Sequence, residues 1–270
     1  MAELLSPVIL EQVLNKIGIC RIPSQDLAQL SVLYKAWCRN VPFDNIENVL
    51  ILASHGTANL TVPHPNDFFA HWLERGTGGL CVETARAWHS LLHTLSFDAR
   101  FVIATIDEQF PPNHLTVVVR LGSVDYVVDT VNLCERPLVL TNHTIAYDDP
   151  LVHAVMVQPE GRSWRLRYRT PVERIEQSCL LLKDAPSEPF RADFVRIQKT
   201  DIFQRFNQCN YSRRNTDDGI TVVIGGHVIR TDFNGKSVID SEPDLRQVLA
   251  TELGYAPCIT TKLPFYAGCD

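Results

Sequence analysis

The sequence predicts an α+β fold, and three observations carry that prediction. Apolar residues recur at helical spacing through most of residues 1–100, alternate in short runs from Arg100 to about Arg169, and follow both patterns in the last third. With 270 residues, 45% hydrophobic and 21% charged, the chain can build its core from burial without covalent staples. No apolar run reaches the roughly 18 residues that a membrane span needs, so no membrane partner is expected. A formal net charge of −6 argues against a nucleic-acid partner, which requires clustered Lys and Arg. The opening stretch MAELLSPVILEQVL has no basic segment and does not read as a secretory signal, so a cytoplasmic location is expected. The 8 cysteines form no CxxC pair and are expected as reduced thiols; the 9 histidines show no zinc spacing, so no metal is expected.

The elements follow in order. Val8, Ile9, Leu10, Val13, Leu14 and Ile17 suit a helix over residues 7–18, and Leu27, Leu30, Leu33 and Trp37 suit a second over 24–39. Loops around VPFDN and SHGTANLTVPHPND lead to helices at 66–74 and 81–95. ARFVIATI, LTVVVRL, DYVVDTV, HAVMVQ and WRLRYR, separated by turn residues, read as strands of a β-barrel or folded sheet. In the last third ADFVRIQKTDIFQRFNQ reads as a helix and GITVVIGGHVIRTDFNGK as a hairpin. SEPDLRQVLATELGY reads as a helix starting at Ser241 or Pro243 and ending at Gly254. Pattern changes near 95 and 195 divide the chain into a helical part at 1–95, a β part at 96–195 and a mixed part at 196–270.

RGTGGLCVETARAWHSLL sets one cysteine between a glycine pair and an amphipathic run. Ala85, Trp88, Leu92 and Leu95 make one stripe, which puts Cys81 in the first turn of a helix and Gly78 and Gly79 in the turn feeding it. Unpaired N–H groups and the positive end of the helix dipole at such a start favour a thiolate and can hold an oxyanion. By itself a free cysteine is more often a small buried hydrophobe. A second segment, NHLTVVVRLGSVDYVVDT, shifts that balance. It reads as strands 115–120 and 124–128 around a turn at Leu121-Gly122, a register that sets His114 directly opposite Asp129 with β carbons roughly 5 Å apart. A carboxylate facing an imidazole orients it as a base. With Cys81, His114 and Asp129 in one chain, nucleophilic catalysis becomes the favoured account.

These residues resemble the arylamine N-acetyltransferases. VPFDNIE (41–47) is similar to that family's V-P-F-E-N-L segment, GGLCVE (78–83) to its nucleophile motif, and HLTVVVRLGSVDYVVD (114–129) to its histidine strand and Y-x-V-D strand. TVVIGGHVIRT and LRQVLATELGY resemble its last hairpin and helix. The resemblance implies a papain-like cysteine core with an N-terminal helical bundle, a β-barrel and a C-terminal α/β lid. It implies ping-pong acyl transfer, typically acetyl, from acetyl-CoA or another acyl-CoA to an arylamine or arylhydrazine, as in xenobiotic metabolism. The thioester is a co-substrate, with no bound cofactor and no metal. Cys81, His114 and Asp129 take the triad roles, and Phe43, Asn45 and Gly79 are candidate substrate contacts. The chain departs from the pattern at Thr77, where the family has arginine and the nearest arginine is Arg75, and at Ala85, where it has asparagine. It departs again at Thr130-Val131-Asn132, where Val-Gly-Phe is usual, and in KTDIFQRF, which lacks the family's Ser-Thr-x-x-Pro-x-Ser character.

Two other readings stand beside this one: a cysteine hydrolase or transglutaminase-like enzyme using the same triad, and a binding relative without activity. Asn40, Phe43 and Asn45 fit an acceptor pocket or a simple loop that Pro42 introduces. Glu83 fits a helix-dipole residue or a partner for Arg75. Arg165, Arg167 and Arg169 fit a solvated edge strand or, less commonly, a phosphate-docking face. Phe68, Phe69, Trp72, Trp88 and the other seven cysteines are expected in the core.

Overall fold

The computed structural model describes residues 3–55, 60–106, 112–147, 155–169, 176–184, 209–232, 234, 237–240 and 245–263. Helix α1 (Pro7–Lys16) starts on Ser6, whose hydroxyl accepts from the Ile9 N–H, with Pro7 at its first position. Helix α2 (Leu27–Asn40) starts on Asp26, which accepts from the Gln29 N–H. After a two-residue strand β1 (Phe43–Asp44) comes α3 (Ile46–His55), a helix the periodicity does not mark because Ile46, Val49, Leu50, Ile51 and Leu52 leave no clear polar face. Helix α4 (Pro65–Arg75) ends at Gly76, whose φ of 79° is the left-handed turn that lets the chain double back. Helix α5 (Cys81–Thr94) then runs through the core, with 11 of its residues buried.

Eight antiparallel strands follow: β2 (Asp98–Thr105), β3 (His114–Leu121), β4 (Val124–Val127), β5 (Leu138–Leu140), β6 (Ile145–Tyr147), β7 (Val155–Glu160), β8 (Ser163–Arg169) and β9 (Glu176–Asp184). Their order is β5-β4-β3-β2-β9-β8-β7-β6. The sheet curls until β5 comes beside β7, a half-barrel rather than a closed barrel among the described residues. A second sheet has the order β1-β10-β11-β12-β13, from β10 (Tyr211–Asn215), β11 (Gly219–Ile224), β12 (His227–Asp232) and β13 (Ser237–Asp240). Helices α6 (Leu245–Thr251) and α7 (Pro257–Thr260) close the described chain. Gly254, also left-handed at φ 79°, turns the chain between them. The expected helix at 192–208 and the expected helix start at Ser241 or Pro243 lie outside the described residues.

The largest core cluster packs α5 against α2, α4 and the inner face of β2 and β3. Trp37 and Trp88 have ring centroids 4.9 Å apart, with Phe68, Phe69 and Trp72 around them, as expected for core aromatics. Other expectations are corrected. Strand β8 lies between β7 and β9 and is no edge; Arg165 on it is buried against Glu160, because an interior strand can keep a guanidinium only with a carboxylate partner. Cys20 and Cys258 are exposed, Cys209 is disulfide-bonded, and Cys269 lies outside the described residues. Cys38, Cys81, Cys134 and Cys179 are buried free thiols. No helix among the described residues is long and apolar enough to cross a membrane.

Candidate active site

Cys81 is the first residue of α5 and is 6% exposed. The turn before it is held from both sides by carboxylates: the Gly78 N–H donates to Asp44 Oδ2 at 2.7 Å and the Leu80 N–H to Glu83 Oε2 at 2.7 Å. Strand β1 runs alongside, with Phe43 bridged to Gly79 and the Asp44 N–H donating to the Gly79 carbonyl at 3.2 Å. This close approach explains the glycine pair. A β carbon at Gly78 would stand 1.8 Å from the Pro42 carbonyl oxygen, and one at Gly79 would stand 2.8 Å from the Glu83 β carbon.

His114 opens β3 and lies across from Ala104 of β2. The β3–β4 hairpin turns at Gly122-Ser123, one residue later than expected, with Gly122 at φ 60° and Leu121 paired to Val124. This register, extended, would set Val131 opposite His114 and place Asp129 on the diagonal. The expected direct pairing is therefore corrected, but the shift preserves the face, because same-side neighbours on a strand are two residues apart. Asp129 leaves the ladder after Val127 and folds its carboxylate back: Oδ1 accepts from the N–H groups of Val131 at 2.9 Å and Asn132 at 2.8 Å. Its Oδ2 accepts from His114 Nε2 at 2.6 Å, and the two side chains are only 2% and 1% exposed.

Burial by itself works against the His114 cation, but the Asp129 charge and hydrogen bond, and then Cys81, outweigh it and raise the imidazole from 6.5 to about 10. Burial likewise opposes the Asp129 anion, yet His114 and the Asn132 N–H hold its carboxyl below the usual 3.8. The remaining ring nitrogen, Nδ1, is buried and meets no strict hydrogen-bond geometry, while Cys81 is near enough to the ring to contribute to its shift. Thiol, imidazole and carboxylate thus lie in series. The structure also recruits residues that no local pattern marked. The Tyr34 hydroxyl donates to the Asp129 carbonyl at 2.6 Å, and Thr84 of α5 and Thr130 are joined through their hydroxyls at 2.8 Å.

The remaining candidates are placed as follows. Phe43 touches the nucleophile turn through its backbone bridge, and its ring packs edge-on against Tyr211 at 5.9 Å. Asn45 spends its side chain on the second sheet, donating to the Cys209 carbonyl at 2.7 Å and accepting from the Tyr211 N–H at 2.8 Å. The Asn40 side chain caps its own helix on the Ala36 carbonyl at 2.8 Å. Arg75 pairs with Glu47, not Glu83, and Thr77 donates to the same Glu47 at 2.8 Å. Glu83 is turned inward instead because its carboxylate is claimed by the Leu80 N–H.

A thiol at a helix start facing a histidine–carboxylate pair, between a helical core and a curled antiparallel sheet, defines a papain-like cysteine centre. A family model described as N-acetyltransferase matches residues 26–254. No curated protein matches the sequence, but solved structures match the fold. The arylamine N-acetyltransferase from Salmonella typhimurium superposes with a TM-score of 0.76 at 18% identity, covering 93% of this chain and 92% of that one. The one from Mycobacterium abscessus gives 0.76 at 17%, covering 94% and 92%. An arylamine N-acetyltransferase from Bacillus cereus, described as having a Cys-His-Glu triad, gives 0.73 at 17%, covering 93% and 99%. The chain belongs to the arylamine N-acetyltransferase family, and it is an acyltransferase.

Proposed function

We propose that the protein moves an acyl group, acetyl in the simplest case, from a coenzyme A thioester to the nitrogen of an arylamine or arylhydrazine by way of a thioester on Cys81. The observation that supports this reading is the buried His114–Asp129 contact of 2.6 Å, which leaves Nδ1 without a hydrogen-bond partner and Cys81 close enough to raise the ring's pKa. An imidazolium beside sulfur is the charge partner a thiolate requires. The Cys81 sulfur attacks the donor carbonyl, the carbonyl electrons move to oxygen, and N–H groups at the start of α5 receive that oxyanion. As the tetrahedral intermediate collapses, the carbon–sulfur bond to coenzyme A breaks and His114 gives its proton to the departing thiolate. The neutral imidazole then takes a proton from the incoming amine as its nitrogen attacks the acyl-cysteine, and Cys81 leaves as thiolate. Asp129 stays ionised throughout and orients the ring.

On this reading Phe43 and Gly79, beside the nucleophile turn, line the acceptor position, and Asn45 supports them through the second sheet. The protein works in the cytoplasm on small aromatic amines of xenobiotic type, without a metal or bound cofactor, and residues 1–95, 96–195 and 196–270 act as bundle, barrel and lid. Intact mass measured after mixing the protein with acetyl-CoA, other short acyl-CoA thioesters and a peptide p-nitroanilide tests the chemistry. An acyl adduct that forms with a thioester, vanishes in Cys81→Ser and His114→Ala, and is discharged by an arylamine is the expected result. Peptide cleavage with no thioester adduct would establish a hydrolase instead.

A further inference from the structure

We propose that Thr84 and Thr130 are positioning residues for acyl transfer: their hydroxyl–hydroxyl bond clasps the first turn of the nucleophile helix to the loop that carries Asp129. The inference rests on the triad assignment above. Both side chains are 1% exposed. Thr84 Oγ1 lies 2.8 Å from the Leu80 carbonyl and 2.8 Å from Thr130 Oγ1. A hydroxyl has one proton, and a carbonyl can only accept. Thr84 therefore donates to Leu80, and Thr130 donates to Thr84. The result is a directed chain from the residue after Asp129 to the residue before Cys81, in a region that water does not reach.

No other described contact ties those two segments to each other by hydrogen bonding. Tyr34 holds the Asp129 carbonyl from α2, and Arg213 donates to the Asn132 carbonyl at 2.8 Å from β10, so the loop is pinned on its other sides by elements that do not carry the thiol. Among the described hydrogen bonds, Thr84–Thr130 is the one that links the loop to α5. The residues around Asp129 that depart from the family pattern thus include a new polar tie whose other half, Thr84, sits in the nucleophile helix. A thiol displaced by about 1 Å from its base loses rate steeply, whereas the fold tolerates such a shift.

The test separates position from stability. Valine is isosteric with threonine, so Thr84→Val strands the buried Thr130 hydroxyl, Thr130→Val removes only the donor, and the double variant replaces the bond with an apolar contact of the same shape. Labelling of Cys81 by iodoacetamide across pH 5–9, single-turnover acylation by acetyl-CoA, and Tm are measured on each, together with Thr84→Ser and Thr130→Ser. We expect both rates to fall about tenfold in Thr84→Val and in the double variant, with the Tm of the double variant back within a few degrees of wild type and both serine variants within twofold of wild-type rates. A double variant with wild-type rates, or rates that track Tm across the whole set, overturns the proposal. If the wild type forms no adduct with any thioester, the proposed reaction fails, yet the iodoacetamide series still decides whether the clasp positions Cys81.

Discussion

Two pairs of buried ionisable side chains lie near Cys81; burial opposes charge in both, and the partners decide whether it prevails. In the first, His114 and Asp129 carry opposite charges; each offsets the desolvation of the other, and both are held in their ionised forms. In the second, Asp44 and Glu83 carry like charges. Burial, aided by the neighbouring Glu47 for Asp44 and by Asp44 for Glu83, lifts both carboxyls to about 7 despite hydrogen bonds from Gly78, Tyr255, Leu80 and Asn48. Both line a cavity of about 130 Å³ beside the glycine turn, shared with Asn48, Phe68 and His71. The donors to Asp44 and Glu83 do not offset their burial, whereas the opposite charges of His114 and Asp129 do. On the proposed reading the first pair does proton chemistry next to sulfur; the second grips the turn that presents the sulfur and titrates near physiological pH.

The comparison breaks most sharply at Asp129. Asp129→Asn keeps the shape but removes the charge, and by analogy with serine-protease triads it should cost on the order of 10³–10⁴-fold in acyl transfer. Leaving His114 without its counter-charge should also lower stability at pH 7 by about 3 kcal/mol, read by denaturant unfolding. An active, equally stable Asp129→Asn would show that the opposite-charge pair does not govern the site.

Glu83→Gln should act with the opposite sign. For a carboxyl whose pKa rises from the ordinary 4.5 to about 7, the folded chain binds more protons than the unfolded chain between those values, so stability falls as pH climbs through that window and then levels. At 1.36 kcal/mol per pKa unit this is ~3 kcal/mol for Glu83, and the neutral glutamine escapes it. Glu83→Gln should therefore match wild type near pH 4.5 and exceed it in Tm at pH 8. A variant that is less stable at both pH values would show that the carboxylate is stabilised by its donors rather than strained by burial.

Wild-type stability should decline in two stages on going from acid to alkaline solution. Asp44 and Glu83 contribute the first, as pH rises from about 4 to 7; His114 contributes the second, since its raised pKa supplies stability complete below 6.5 and lost as pH climbs through about 10. Thermal unfolding from pH 4.5 to 10 should show Glu83→Gln weakening the first stage and Asp129→Asn removing the second. The smallest effect is expected at Tyr255, which donates to Asp44 Oδ2 at 2.7 Å. Tyr255→Phe should cost about 1 kcal/mol at pH 8 and less at pH 5.5, because a hydrogen bond to an ionised carboxylate is the stronger one. Equal losses at the two pH values would mean that Asp44 does not titrate between them.

Much of the placement of Cys81, His114 and Asp129 was legible in the residues. Gly-Gly-Leu-Cys ahead of an apolar stripe predicts a helix opening at Cys81, and α5 begins there. Alternation in LTVVVRL and DYVV predicts the hairpin, although it does not settle which two residues make the turn: Leu121-Gly122 and Gly122-Ser123 both put glycine at a tight corner, and packing selected the second. His114 and Asp129 still met, because the change of register preserved side-chain parity. Helix α3 escaped the pattern by being apolar on too many sides, and Arg165 was misjudged because alternation reveals a strand but not its neighbours.

The sequence by itself determined where α1, α2, α4, α5 and the β3–β4 hairpin form and that His114 and Asp129 share a face, since helix and strand periods are local and act over a few residues. Only the tertiary structure decided charge and placement. Burial, aided by Glu47, raises the Asp44 carboxyl against a hydrogen bond from Tyr255, 211 positions away, and Thr84 finds Thr130 across 46. Desolvation and hydrogen bonding act through space, so no reading along the chain contains them.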